Sequence, residues 1–254
     1  MHPWLFSVLL LCSTLCASAQ GLSLKNPFFV AGVLGSSSGG GASDPCSSCT
    51  NETFNPAGYS ISGWTETPNT GGPINEDYAT APAPIEGAQS LLVRNASGDS
   101  SFIQITVPDS AESWQRFSFI MTNTIVNGIR LSAFLSGGFV FQAELRTTGG
   151  KMQVVAGTAT ATLADSLVAN TKYFVRFHYK QVAGVNNDVA DVECNTTGTF
   201  DGAGTDFASL TTGSANATAS IMGLGVWDWN FAGAFSGVIF DQYSYTNLGQ
   251  PGNF

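Results

Sequence analysis

From residue 101 onward the chain alternates apolar and polar positions in short runs, each closed by Gly, Asn, Ser or Asp. The runs 91–94, 102–107, 114–122, 129–135, 139–146, 152–160, 173–181, 189–194, 221–226 and 238–245 are rich in aromatic and β-branched residues. Short runs of that composition between turn formers predict strands. None carries the apolar spacing of a long amphipathic helix. No self-similar repeat of about 20–50 residues is visible, which argues against a propeller or solenoid. The pattern predicts an all-β protein: a two-sheet antiparallel β-sandwich or jelly roll.

Two runs alternate most sharply. Phe139, Phe141, Ala143 and Leu145 share one parity; Gln142, Glu144 and Arg146 share the other. Tyr173, Val175, Phe177 and Tyr179 likewise oppose Arg176, His178 and Lys180, and Arg130 and Ser132 oppose Ile129 and Leu131. Successive side chains on a strand point to opposite faces, so each run has an apolar and a polar side. The functional expectation is that these strands are neighbours and their polar sides form one concave site. The plainer expectation is that each polar side is an ordinary solvated face.

The N-terminus is different. Residues 5–15 are apolar and Ala17-Ser-Ala19 precedes Gln20. A short apolar core before a small-residue cleavage pattern predicts an export signal over residues 1–19 and a secreted protein. The region before the core holds His2 and no Lys or Arg. The apolar stretch is short for a bilayer, and no later one is longer, so no membrane span is expected. Residues 20–53 contain a strand candidate at 27–34 and a Gly/Ser-rich flexible segment. Residues 64–84, rich in Pro, Gly, Asn and acids, are expected to be a loop. Residues 54–254 suffice for one β domain.

Composition narrows the partners. Hydrophobic residues are 43% of the chain, charged residues 11%, and the formal net charge is -9. Nucleic-acid binders concentrate Lys and Arg, so no nucleic-acid partner is expected. Cys46, Cys49 and Cys194 remain after signal removal. The pairing expected is Cys46 with Cys49, or either with Cys194, which alternatively serves as a small buried apolar group. Asn51, Asn95, Asn195 and Asn216 sit in Asn-x-Ser/Thr sequences that a eukaryotic secretory host could glycosylate.

Candidate chemistry is sparse. His178 is the only His after the signal, which excludes multi-histidine metal sites, and no nucleophile-elbow motif accompanies it. Calcium remains open, with Asp99, Asp188, Asp228 and Asp241 as candidate ligands; no other cofactor is expected. Trp227-Asp-Trp229 places two indoles two residues apart, with Asp228 and Asn230 beside them. Sugars stack C–H faces on such rings while hydroxyls take polar partners; rim packing is the competing role. Asp191-Val-Glu193 has a carboxylate spacing useful to a retaining glycosidase, but no third acid follows, and solvation on an edge strand is expected.

The stretch from Phe54 to Thr246 resembles the concanavalin A-like lectin/glucanase superfamily, including laminin-G-like jelly rolls. The carriers are Gly63-Trp64, Glu86-Gly-Ala-Gln-Ser-Leu-Leu-Val93, Asn170-Thr-Lys-Tyr-Phe-Val-Arg-Phe177, Ile221-Met-Gly-Leu-Gly225 and Phe235-Ser-Gly-Val-Ile-Phe-Asp-Gln-Tyr243. The superfamily holds lectins, glycosidases, lyases and adhesion domains, so fold alone does not choose a function. Jelly-roll alginate lyases offer closer matches at Gln142-Ala-Glu-Leu-Arg146 and at 173–181. That resemblance implies Glu144 and Arg146 as uronate ligands and Tyr179 as acid/base. The lyase pattern is broken at Gln142, Val175 and Phe177, and its His-bearing segment has no counterpart. The expectation is a non-catalytic binder of a carbohydrate or glycoconjugate, with candidate contacts at Trp227, Asp228, Trp229, Asn230, Gln142, Glu144, Arg146, Arg176 and His178. A structural or adhesive surface protein with an extracellular protein partner is the second reading, and a diverged lyase or glycosidase the third.

Overall fold

The computed structural model of the chain describes residues 49–52, 54, 63–67, 75–78, 85, 90–95, 101–122, 125, 127–227 and 235–254. The export signal, the 27–34 strand candidate, Cys46, Asp99, Asp228, Trp229 and Asn230 lie outside the described residues. The strands are β1 (Thr50–Glu52), β2 (Trp64–Thr67), β3 (Asn75–Tyr78), β4 (Ser90–Asn95), β5 (Ser101–Ser110), β6 (Glu112–Met121), β7 (Arg130–Ser136) and β8 (Val140–Thr148). They continue with β9 (Lys151–Ala156), β10 (Ala159–Ser166), β11 (Lys172–Lys180), β12 (Asp188–Asn195), β13 (Phe207–Gly213), β14 (Ala219–Trp227) and β15 (Phe235–Thr246). No helix occurs among the described residues.

Two antiparallel sheets form a sandwich. Sheet A runs β13-β12-β11-β6-β15-β4-β3, and β1 pairs with the C-terminal part of β15. Sheet B runs β10-β9-β8-β7-β14-β5-β2. The inner faces carry the alternating apolar residues. Phe117, Phe119, Val175, Phe177 and Phe240 of sheet A meet Ile103, Phe134, Leu145, Val154 and Leu224 of sheet B in one core. Phe134 and Phe177 are in ring contact across the sandwich, with centroids 4.6 Å apart. Burying such side chains removes apolar area from water at roughly 25 cal/mol per Å2, which drives the two sheets together. One polar tie crosses this core. Gln115 of β6 donates to Ala133 O (2.9 Å) and accepts from Ser132 Oγ (2.8 Å) and Tyr243 Oη (3.0 Å). Its buried amide therefore has partners on both sheets, as burial of a polar group requires.

The structure departs from the sequence pattern in several places. Ser132, expected beside Arg130 on the polar face, is buried and donates to Gln115 in the core after a register shift in β7. The strand β1 forms within the segment expected to be flexible. Residues 64–84, expected as loop, contribute β2 and β3. The single strand expected over 152–160 is a hairpin, β9 and β10, turned at Gly157 with φ +61. Positive φ costs glycine little. The strand β13 has no counterpart in the sequence reading. In β8, Leu135 pairs with Phe141 but Phe134 pairs with Ala143, so Gln142 is an extra residue. That β-bulge reverses the parity of the strand's first part. Phe141 therefore leaves the core side and packs with Phe102, Ala133, Leu135 and Ile221 in a separate cluster. Phe139, expected in the core, is 55% exposed at the β7–β8 turn.

Cys194 is a free thiol, 3% exposed, on the core side of β12, which removes it from any disulfide. Its thiol is pushed well above the usual range by burial. Cys49 precedes β1, and Cys46 is not among the described residues.

Candidate functional site

The outer face of sheet B collects most of the polar candidates. Residues directly opposite in an antiparallel pair share a face, so the register defines rows across the sheet. One row reads Thr65, Gln104, Gly223, Ala133, Glu144, Val155 and Thr160, one residue from each of the seven strands. The next reads Trp227, Arg130, Arg146, Gln153 and Thr162 over β14, β7, β8, β9 and β10. Small residues, Gly223 and Ala133, form the middle of the first row. Longer polar side chains, Gln104 and Glu144, stand on either side of them.

Glu144 is the electrostatic centre. Its side chain is 7% exposed and forms ion pairs with both Arg130 and Arg146. Those arginines retain 20% and 34% exposure. One carboxylate between two guanidiniums leaves a net positive patch on a chain whose total charge is -9. Arg130 also lies over the Phe141 ring, 5.0 Å from its centroid. The bulge at Gln142 thus sets an aromatic ring beside Arg130. The Gln142 amide donates to Ser136 Oγ and Val140 O, each at 3.0 Å, while its Oε1 and that of Gln104 have no donor. Buried acceptors without partners are uncommon and cost free energy unless something supplies a donor. Cations beside an aromatic ring on one face suit a ligand bearing an acidic group.

Arg176 and His178 are elsewhere, on the outer face of sheet A. The expected single site therefore does not form: Arg130, Glu144 and Arg146 are separated from Arg176 and His178 by the whole sandwich. Parity predicts which face of a strand is polar but not which sheet the strand joins. Arg176 pairs with Glu193 (Nη2 to Oε2, 2.7 Å), and burial holds its guanidinium below the usual arginine range against the raising effect of Glu193. His178 places Nδ1 at 2.8 Å from Asp191 Oδ2 and Nε2 at 3.1 Å from Glu112 Oε1. Asp191 and Glu193 are thus partnered on an interior strand, not solvated on an edge as expected.

Tyr179 points into the core and is 0% exposed. Its hydroxyl donates to Ala217 O (2.7 Å), and burial pushes its pKa well above the usual tyrosine range. The lyase resemblance places Tyr179 with Glu144 and Arg146, yet they stand on different sheets. Asp188 accepts from Val182 N (3.0 Å) and Asn216 N (2.5 Å), and Asp241 from Ser90 Oγ (2.8 Å) and Gln242 N (2.8 Å). Both buried carboxylates are engaged by donors of the protein itself. Among the described residues no three His, Cys, Asp or Glu side chains group as metal ligands. Asn51 is exposed on β1, while Asn195 and Asn216 use their amides within local turns, donating to Thr199 O and Ser214 O. Asn95 ends β4.

No family model matches the chain, and no curated protein matches it in sequence. Solved structures do. The cellulose-induced protein Cip1 superposes with a TM-score of 0.54 at 15% identity, over 78% of this chain and 97% of that one. The fold is a concanavalin A-like jelly roll. Peanut lectin, solved with a nine-residue peptide, matches at TM-score 0.48 and 10% identity, over 78% of this chain and 96% of that one. The alginate lyase AlgAT5 of polysaccharide lyase family 7 matches at TM-score 0.44 and 10% identity, over 66% and 84%. No described helix is long and apolar enough to cross a membrane.

Proposed function

We propose that this is a secreted, non-catalytic carbohydrate-binding protein whose ligand, a saccharide carrying acidic residues, lies across the outer face of sheet B. The observation that carries this reading is Glu144 held between Arg130 and Arg146 beside Phe141, in a row of polar and small residues spanning all seven strands. The arginines supply charge-assisted donors to a sugar carboxylate. Phe141 supplies a ring for a C–H face. Trp227 stands in register opposite Arg130 at the end of β14. Secretion rests on the signal pattern of residues 1–19.

The reading includes catalytic silence, supported by the donor set. Among the described residues, the face holds no His or Tyr that could shuttle a proton. Tyr179 is in the core, and Glu144 is tied to two guanidiniums. The test is a glycan array with the mature protein, followed by a product assay on each hit. The reading expects retention of acidic glycans with no release of reducing ends or unsaturated uronates. Turnover lost in Glu144→Gln would replace it with a lyase, and retention of no glycan would end it.

A further inference from the structure

A second, separate cavity opens on the outer face of sheet A. It has a volume of about 230 Å3 and is lined by Trp114, Arg176, Asp191, Phe200, Asp201 and Gln250, among others. Its walls are built, not incidental. Glu193 at the floor accepts from the backbone N–H groups of Asp201 (2.8 Å) and Gly202 (3.1 Å), which fastens the loop after β12 over the sheet. The C-terminal tail braces that loop from the other side. Arg116 donates to Gly252 O (3.0 Å) and Asn253 O (2.8 Å), Phe200 N donates to Asn253 Oδ1 (2.7 Å), and Phe254 N donates to Gly198 O (3.0 Å).

The polar inventory of this cavity is specific. The Arg176 charge is consumed by Glu193, and Gln250, with its amide turned to suit the guanidinium, accepts from Arg176 Nη2 at 3.1 Å. That orientation turns the Gln250 NH2 away from the arginine. Asp191 spends Oδ2 on His178, and Asp201 spends Oδ1 on Ala203 N. Their other oxygens carry the surplus negative charge of the site. Trp114 lies flat against His178, centroids 3.8 Å apart and planes within 11°. It is 91% buried, and its indole N–H has no acceptor among the described residues.

We propose that this cavity is a second ligand site, which takes a single sugar ring that is neutral or amine-bearing. Aromatic walls at Trp114, Phe200 and Phe207 fit the apolar faces of a pyranose. The Gln250 amide is a donor to its hydroxyl oxygens. Asp191 and Asp201 accept from hydroxyl or ammonium hydrogens. The same carboxylates repel an acidic sugar, so this site selects against the charge that the sheet B face selects for. The proposal does not depend on that face.

The test is a nuclear magnetic resonance titration of the 15N-labelled mature protein. The probes are methyl glucoside, methyl mannoside, methyl galactoside, glucosamine and glucuronate, each to about 50 mM, above the millimolar range expected of one sugar ring. The Trp114 indole resonance is assigned as the one missing in Trp114→Phe. Saturable movement of that resonance by a neutral sugar or glucosamine is expected. The Kd should rise about tenfold in Asp201→Asn, the scale of one hydrogen bond to a charged acceptor, and should not change in Arg146→Ala. Asp191→Asn is the second variant, used if Asp201→Asn perturbs the loop, and carries the same expectation. No movement with any probe, movement with glucuronate alone, or a Kd unchanged in both Asp variants would overturn the proposal.

Discussion

Arg176 and Glu193 face each other in register on β11 and β12, 2.7 Å apart from Nη2 to Oε2, with side-chain exposures of 7% and 1%. The pair joins the sheet to the loop above it, because the same carboxylate accepts the N–H groups of Asp201 and Gly202. Removing one partner strands a buried charge and orphans two backbone donors. Glu193→Ala should therefore cost about 3–5 kcal/mol of folding stability. Urea unfolding checks this, with Glu193→Gln expected to lose less, since it keeps an acceptor. A Glu193→Ala loss under about 1 kcal/mol, the level of an exposed pair, would contradict it.

Tyr179→Phe separates a structural from a catalytic tyrosine. The hydroxyl donates to Ala217 O and lies 3.4 Å from Asp188 Oδ2 in the core. Its loss should lower stability by about 1–2 kcal/mol and leave glycan binding untouched. Thermal melts and binding of the same glycan before and after the change read both outcomes.

The Tyr179 case marks how far the sequence was legible. Period-two alternation in residues 173–181 identifies the strand, and the inward side of Tyr179 with it. The same alternation identifies Glu144 and Arg146 as outward. It does not say that β8 and β11 belong to different sheets, because that depends on crossovers between distant strands. The bulge at Gln142 is silent in sequence, so Phe141 is misread as core. The strand β13 has the composition Phe-Ala-Ser-Leu-Thr-Thr-Gly, too small and polar to stand out. The cavity on sheet A is built by a loop and a tail that carry no pattern. Only Asp191, Glu193, Arg176 and the solitary His178 hinted at it.

Cys194 should be inert in the folded protein. It is buried against the core, and burial raises its thiol pKa, so little thiolate forms. Alkylation of the mature protein followed by peptide mass analysis should find Cys194 unmodified until denaturant is added. Modification at native rates close to those of a free cysteine would show β12 opening away from the core.

The Glu112 carboxyl is held below its usual value of 4.5, first by the hydrogen bond from Lys180, then by the nearby His178, with burial opposing both. A carboxyl whose pKa is lowered on folding stabilises the fold above its unfolded value. That contribution is lost as the pH falls below 4.5 and the group protonates. Wild type should thus be more stable than Glu112→Gln at neutral pH, and the gap should close as the pH falls below 4.5. A gap that stays constant down the acid limb would mean the effect is steric.

The central claim is that sheet B binds an acidic saccharide through Arg130 and Arg146. Calorimetric titration of the mature protein with polyuronates and neutral glucans, repeated with Arg146→Ala, tests it most directly. The account predicts saturable binding of a polyuronate with a Kd of about 0.1–1 mM per site, weakened by salt. Arg146→Ala should weaken it about tenfold or more, the scale of losing a hydrogen bond to a charged group, with the fold intact by thermal melt. Equal heats for wild type and Arg146→Ala, or a preference for the neutral glucans, would contradict it.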